Sequence, residues 1–405
     1  REEDALSIET STKILKALKT HGDFLMDPRH YEAGHNHGIN QTVALLNLAI
    51  NFPDMPGANQ WLMIARERFD KGVNDLVDND GALVENSPYY HFYVLQKYWE
   101  VYQYDKKHPM GINKNFENKI EQMINYATYI LQPDLGVPLV GASLKNTINL
   151  SGYFAEMAET DPNFLYTLSQ GKLGKKPAKE NIYYTDTGQV IMRSDWGGDE
   201  NFEQQTHLVF DVGAYRTLHS DYDAFSFDLY SNGQYLINDP GLYTYEPGVL
   251  RDYFDSTGAH NTVVVDNVNQ GPGAPVMIEF IDESDYTLAT AKHDLYPGVM
   301  HYRTMMSMDD DLILIIDYLI SEEEHTYKQM FHFWPEAGLN VDGLTVKAQG
   351  KKNSQSLTIH QLLSQGVNLD YIKGQESPLE GWCSNEYEVK VPCYSVSYKK
   401  TGKTV

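Results

Sequence analysis

The stretch "QGKLGKKPAKEN", residues 170–181, separates two parts of the chain that follow different hydrophobic periods. It is polar, basic and broken by glycine and proline, so it reads as a linker. Upstream, "INQTVALLNLAINF" (39–52), "ANQWLMIARERFDKGVNDLV" (58–77), "YYHFYVLQKYWEVYQY" (89–104), "FENKIEQMINYATYIL" (116–131) and "GYFAEMAETDPNFLYTL" (152–168) repeat apolar residues at three- and four-residue steps. That spacing predicts helices, and "FPDMPGAN", "KKHPMG" and "QPDLGVPLVGAS" punctuate them. Downstream, "TGQVIMRSDW", "THLVFDVG", "AFSFDLYSNGQYLIND", "HNTVVVDN", "DLILIIDYLI", "TYKQMFHFW" and "YSVSYKK" are short β-branched and aromatic runs of period two, which predicts strands. "YSNGQY" sets Asn-Gly between two such runs, a strong hairpin signal. The fold class is therefore an α-helical portion at 1–172, a linker at 173–181 and an antiparallel β-sandwich at 182–405.

The 405 residues, 41% of them hydrophobic, suffice for two domains with their own cores. Net charge is −24 and no Lys/Arg-rich block occurs, which argues against a nucleic-acid partner. No apolar run approaches the roughly 18 residues that a membrane-spanning helix needs. No signal-peptide pattern opens the chain, and "REEDALSIETSTKILKALKTHGDFL" reads as the interior of a helical region in a longer precursor. Cys383 and Cys393, in "WCSNEYEVKVPC", fit either a hairpin disulfide or two buried thiols, which leaves the redox compartment open.

Four places concentrate polar, titratable groups in otherwise apolar surroundings. "GHNHG" (34–38) opens a helical run with His35, Asn36 and His37. "VENSPYYHFYVL" (84–95) places Tyr89, Tyr90 and His91 after Pro88 at an expected helix start. "RTLHSDYDAF" and "NGQYLINDPGLYTY" supply His219, Asp221, Asp223 and Asp239. "RDYFDSTGAHNTVVVDN" (251–267) adds Arg251, Tyr253 and His260. Each has an ordinary structural reading: a hydrogen-bonded turn at 34–38, core packing for Tyr-Tyr-His, a turn initiator at Asp239, a strand-end pair at His219 and Asp221. Those readings leave their concentration in both halves of the chain unaccounted for.

In this order, "GHNHG", "ENSPYYH", "PDLGVPLVGAS", "RSDW", "HSDYDAFSFDLYSNGQYLINDPGLYTY" and "LRDYFDSTGAHNTVVVDN" resemble the heparinase II/III-like polysaccharide lyases, over residues from about 30 to 270. The resemblance implies an N-terminal (α/α) toroid followed by the sandwich. It also implies cleavage of a uronic-acid polysaccharide, a glycosaminoglycan or related glycuronan, by β-elimination. Such a reaction needs the sugar carboxylate neutralised, a base for the C5 proton and an acid for the departing O4. Carried over by residue, the carboxylate-neutralising group falls on Asn36, the catalytic tyrosine on Tyr90 and the sandwich histidine on His219. His37, His91, Arg251 and Tyr253 are the expected substrate contacts, with Tyr89, Tyr243 and Tyr245 as further stacking candidates. The glycines of "GHNHG" are expected to let a sugar approach the backbone.

Members of the family hold a metal in the sandwich through a His-Asp-His set. The matching positions here are Asp221, Asp239 and His260, with Asp replacing the first His. That set suits a structural divalent ion, zinc first, calcium or manganese as alternatives, and no organic cofactor is implied. About six helical segments precede the linker, fewer than a closed toroid needs, so further helices are expected before Arg1. The expected partner is an acidic polysaccharide, and the expected address is secreted, periplasmic or cell-surface. The acidic balance orders the substrates as hyaluronan, chondroitin or another low-sulfate glycuronan, then alginate, then heparan sulfate. The rival readings are an alginate or oligoalginate lyase, a glycoside hydrolase using acids such as Glu32 and Glu85, and a non-catalytic glycan-binding relative.

Overall fold

The computed structural model describes residues 7–112, 115–216, 218–308, 312–350 and 356–405. Residues 1–6, read above as helix interior, lie outside them. Among the described residues, helices come first: α1 (Ile8–Met26), α2 (Asn36–Asn51), α3 (Ala58–Leu76), α4 (Pro88–Lys107), α5 (Asn115–Ile130), α6 (Gly152–Thr160) and α7 (Pro162–Leu168). The run at 152–168, expected as one helix, is two. Pro162 cannot donate to the helix before it and instead opens α7, where the Asp161 carboxylate caps the amides of Asn163 and Phe164 at 2.8 and 2.9 Å.

The chain forms two compact units, residues 1–83 with 93–123 and residues 84–92 with 124–405. In the first, α1 and α3 meet where Gly22 faces the fully buried Trp61. A Cβ on Gly22 would lie 2.5 Å from the indole, so only glycine permits this approach. Phe69, Tyr98 and Phe116 extend the core edge to face, with ring centres 4.8 to 6.0 Å apart. Arg68 closes the end of α1 by donating to the carbonyls of Leu25 and Met26 at 2.6 and 2.8 Å.

The second unit is mostly sheet. β1 (Ile182–Tyr184), β2 (Gln189–Arg193), β3 (His207–Asp211), β4 (Phe227–Ser231) and β5 (Gln234–Ile237) form one antiparallel meander in chain order. Helix α8 (Val249–Phe254) and β6 (Val263–Val265) follow. Then come β7 (Val276–Asp282), β8 (Tyr286–Tyr296), β9 (Val299–Met308) and the long β10 (Leu312–His332). β11 (Gly338–Asp342), β12 (Thr345–Gln349) and β13 (Ser356–His360) make a small sheet, and β14 (Asn368–Lys373) returns to the large one. The short pairs β15 (Gln375–Glu376) with β16 (Leu379–Glu380) and β17 (Trp382–Glu386) with β18 (Val389–Pro392) precede β19 (Tyr394–Thr404). The large sheet has the order β14-β19-β10-β9-β8-β7, with β6 also on β10.

Strand β8 alternates buried and half-buried residues as its period predicts. Between the two main sheets lie Val190, Leu208, Phe210, Phe227, Leu229, Ala289, Met305, Phe331 and Val396. β2 and β3 are instead buried along their whole length. Residues 126–131 cover their second face, with Tyr126 donating to Gln189 Oε1 at 2.6 Å and the imidazole of His207 reaching Tyr129 O at 3.1 Å. Cys383 and Cys393 are disulfide-bonded across β17 and β18.

Candidate active site

In the sheet unit, the segment Val84–Phe92 and two loops build a polar cluster. Pro88 opens α4, and Ser87 sits at its cap, with Oγ 3.4 Å from the Tyr90 amide and 2.8 Å from Ser143 Oγ. Asn86 ties this segment to the 214–220 loop, donating to Ala214 O at 3.1 Å and Ser220 Oγ at 3.0 Å. Gly141 lies beneath both. A Cβ there would come within 2.3 Å of Asn86 O and 2.7 Å of His219 O, and its φ is +59°. The neighbouring amide of Ala142 donates to His219 O at 3.0 Å. His219 itself is held at φ +56°, a left-handed conformation that costs a β-carbon residue free energy and is common at functional sites.

The consequence is a stacked aromatic cluster. The rings of Tyr90 and His219 lie 4.0 Å apart and nearly parallel, at 12°. Tyr245 meets His219 edge-on at 5.7 Å, and its hydroxyl lies 3.0 Å from that of Tyr90. Tyr245 is set by its own backbone: its amide donates to Tyr387 Oη at 3.3 Å, and its carbonyl accepts from Arg251 Nη1 at 2.7 Å. The fully buried Glu85 brings Oε2 to 3.2 Å from His219 Nδ1. Burial raises the Tyr90 phenol above its ordinary 10, and the hydrogen bond to Tyr245 offsets only part of that. Burial, and then the bond to Tyr90, raise Tyr245 further. Both phenols are therefore neutral near pH 7 and suited to donating protons.

A second cluster lies in the same unit, around His260. Asp221, Asp223 and His260 bring ligand atoms within 4.8 Å of one another. Asp239, expected as a ligand, stands one step behind: its Oδ2 is 3.0 Å from His260 Nδ1. That carboxylate fixes the imidazole by Nδ1 and leaves Nε2 buried and, among the described residues, without a hydrogen-bond partner. Burial holds Asp221 and Asp223 well above the usual carboxylate range and pushes Asp211 up to about 6. Burial alone would lower His260, yet Asp239, Asp223 and Asp221 outweigh it and raise the imidazole to about 10. A concentration of buried carboxylates around one imidazole, with an orphaned ring nitrogen, fits a divalent cation.

Residues 176–399 match the family described as Heparinase II/III-like, C-terminal, and residues 3–164 match Heparinase II/III N-terminus. The chain belongs to the heparinase II/III-like family. It is 22% identical over 387 residues to a heparin-sulfate lyase of Bacteroides stercoris, covering 91% of this chain and 55% of the relative. It is 24% identical over 322 residues to a heparin-sulfate lyase of Pedobacter heparinus, covering 76% and 48%. The chain thus spans about half the length of the curated relatives it matches. Among solved structures, heparan sulfate lyase HepC from Pedobacter heparinus shares the fold with a TM-score of 0.82 at 20% identity, over 99% of this chain and 63% of that one. A heparinase III crystal structure does so with a TM-score of 0.88 at 18% identity, over 99% and 64%.

The remaining expected contacts of this heparinase II/III-like chain fall in different settings. His91 is fully buried, one helical step from Tyr90 and turned into the core against Tyr126 at 4.7 Å. Tyr253 is buried beside Phe254, its hydroxyl 3.1 Å from the Trp382 amide. Arg251 is half-exposed and engaged by Tyr245 O and by Asp255 at 3.3 Å. In the helical unit, Asn36 is the first residue of α2 and is buried. His35 caps α2, its Nδ1 accepting from the His37 amide at 3.1 Å, while the exposed His37 ring contacts Glu32 Oε2 at 2.9 Å. Glu32, His35 and His37 also group ligand atoms within 4.8 Å, but the cap occupies one nitrogen of His35. A Cβ on Gly38 would sit 2.1 Å from Glu32 O, so its smallness serves the fold, whereas Gly34, at φ +74°, would have nothing within 4 Å of a Cβ. Glu85 and Tyr245 join the cluster without having been singled out for it. The signal for Glu85 was its place five residues before Tyr90, at the turn that opens α4.

Proposed function

We propose that this chain carries the β-elimination machinery of a polysaccharide lyase acting on a uronic-acid-containing glycosaminoglycan. The observation that carries the reading is the grouping of Tyr90, His219, Tyr245 and Glu85. Tyr90, kept neutral by burial, is the acid that protonates the departing O4. His219 is the base for the C5 proton, with Glu85 beside Nδ1 directing the lone pair of Nε2 outward. Tyr245 holds the Tyr90 hydroxyl in place; after turnover His219 releases the C5 proton to water and Tyr90 regains one from water. Asn36, at the start of α2, is assigned to the substrate carboxylate as it takes on enolate character; this assignment rests on the family resemblance and on its place at a helix N-terminus.

Asp221, Asp223 and His260 are the residues that would hold a divalent ion, with Asp239 orienting the imidazole. The ion would be a structural brace that neutralises buried carboxylates. The named activities of the relatives bring heparan sulfate to the front of the substrate order, ahead of the low-sulfate glycuronans that charge alone favours. A disulfide and a polysaccharide substrate support a secreted, periplasmic or cell-surface address; no described helix is long and apolar enough to cross a membrane.

The test is incubation of the protein with heparan sulfate, heparin, hyaluronan, chondroitin and alginate while following the ultraviolet absorbance of the unsaturated uronate. A rise on one polymer, lost in Tyr90→Phe, supports the reading and names the substrate. New reducing ends without absorbance would indicate hydrolysis and overturn it.

A further inference from the structure

We infer that Arg303 is the positioning residue that holds the Asp221–Asp223–His260 cluster in ligand spacing; the inference rests on the metal reading above. Arg303 lies on β9, is fully buried, and is 14 residues and a direct cross-strand partner away from Asp317 on β10. Its Nε and Nη2 donate to Asp317 Oδ1 and Oδ2 at 2.7 and 2.8 Å, a bidentate pair. The remaining nitrogen reaches out of the sheet. Nη1 donates at 2.7 Å to Phe225 O and at 2.7 Å to Asn261 O. Phe225 lies two residues after Asp223, and Asn261 directly follows His260. One guanidinium thus clamps both segments that carry the cluster.

The clamp has a target that needs clamping. Phe225 is held at φ +71°, a conformation that an aromatic residue adopts only when its surroundings enforce it. Its ring is boxed by His293 at 4.5 Å and His301 at 5.1 Å. Those histidines also orient the Arg303 partner. The Leu295 amide donates to His293 Nδ1 at 3.3 Å, so His293 carries its proton on Nε2 and passes it to His301 Nδ1 at 3.1 Å. His301 in turn donates from Nε2 to Asp317 Oδ1 at 2.7 Å, and Gln329 donates to Oδ2 at 2.7 Å. Asp317 is fully engaged, which fixes the plane of the guanidinium and hence where Nη1 points. Lysine would keep the charge but, with a single nitrogen, could not grip both Asp317 oxygens and also present a second, fixed donor nitrogen to the two carbonyls.

The experiment titrates chelator-stripped protein with Co²⁺ alone, followed by calorimetry and visible absorption. Four proteins are compared: the parent, His260→Ala, Arg303→Lys and Val396→Ala, the last a truncation in the sheet core that serves as the control for lost stability. The double variant Arg303→Met/Asp317→Leu, which leaves no unpaired buried charge, replaces Arg303→Lys should that variant not fold. The expected result is Co²⁺ affinity at least 10-fold weaker in Arg303→Lys with an altered spectrum, at a melting loss that leaves Val396→Ala with parental affinity and spectrum. Parental binding in Arg303→Lys while His260→Ala binds nothing would overturn the role of Arg303 and leave the metal site standing. No Co²⁺ binding by the parent would overturn the metal reading and this inference with it.

Discussion

The phenol of Tyr90 lies flat on the imidazole of His219, ring centres 4.0 Å apart, while its hydroxyl points to Tyr245 3.0 Å away. Stacking separates the two proton-transfer groups by orientation. His219 turns Nδ1 toward Glu85 Oε2, 3.2 Å away, and the half-buried Tyr90 turns its hydroxyl to Tyr245. Burial raises the phenol, which supports the proposed role of Tyr90 as the acid in this pair.

Tyr90→Phe removes one hydroxyl and keeps the stack. Turnover is expected to fall about 10²–10⁴-fold, the usual contribution of a positioned acid. The melting temperature should move little, since the hydroxyl is only half-buried and its partner Tyr245 remains accessible to water. Initial rates of absorbance increase and a thermal melt of the same samples check this. Near-parental turnover would remove Tyr90 from the mechanism.

Glu85→Gln tests the group behind His219. The carboxylate lies 3.2 Å from Nδ1 and is completely buried, so the amide keeps its shape and removes its charge. The amide offers Nδ1 no anionic partner, so the ring is held less firmly in one orientation. The expected outcome is kcat lowered about 10²-fold with KM nearly unchanged. A loss confined to KM would instead assign Glu85 to substrate binding.

The sandwich was legible because β-branched and aromatic runs alternate, as β8 and its burial demonstrate. β2 and β3 were legible as strands, but nothing in their spacing revealed that both faces are covered. The site was legible as residue types and less so as geometry. Tyr90 and His91 are adjacent in sequence, yet successive helix positions diverge by about 100°, which sends one to the cluster and the other to the core. Asp223 and Asp239 are equivalent as sequence; only the fold decides that Asp223 groups with Asp221 and His260 as a possible ligand while Asp239 bonds His260 Nδ1. Glu85 read as a hydrolase acid because its neighbour His219 is 134 residues away in the chain.

A chelator should lower the melting temperature of the sheet unit if the His260 cluster holds an ion as purified. Binding to the folded state alone stabilises by about 2.7 kcal/mol when free metal is 100 times its Kd. Re-addition of Zn²⁺, Ca²⁺ or Mn²⁺ should restore the melt, and the most effective ion identifies the occupant. His260→Ala should abolish the response, because it deletes the nitrogen that Asp239 orients. A chelator response retained in His260→Ala would place the ion elsewhere, and a chelator-insensitive parent would speak against a bound ion.

Acid stability follows from the buried histidines. Burial, reinforced by His301 and Arg303, lowers His293 to about 2, and burial, reinforced by His260, lowers His332 to about 3. Unfolded histidine titrates near 6.5, so between that pH and these values the unfolded state binds protons that the folded state does not. Their contribution to stability is therefore complete above pH 6.5 and declines as pH falls below it, by about 1.4 kcal/mol per pH unit for each such group. Buried carboxylates with a raised pKa, among them Asp211 and Asp228, act in the opposite direction over the same range, so the histidine contribution is read as the difference between parent and variant in denaturant midpoints measured from pH 7.5 to 4.5. His293→Asn should be less stable at pH 7, since His301 Nδ1 and the Leu295 amide lose a well-placed partner. Its midpoint should nevertheless fall less steeply with acid, by one histidine's share of the slope. Parallel curves for parent and variant would mean that His293 takes up its proton without unfolding.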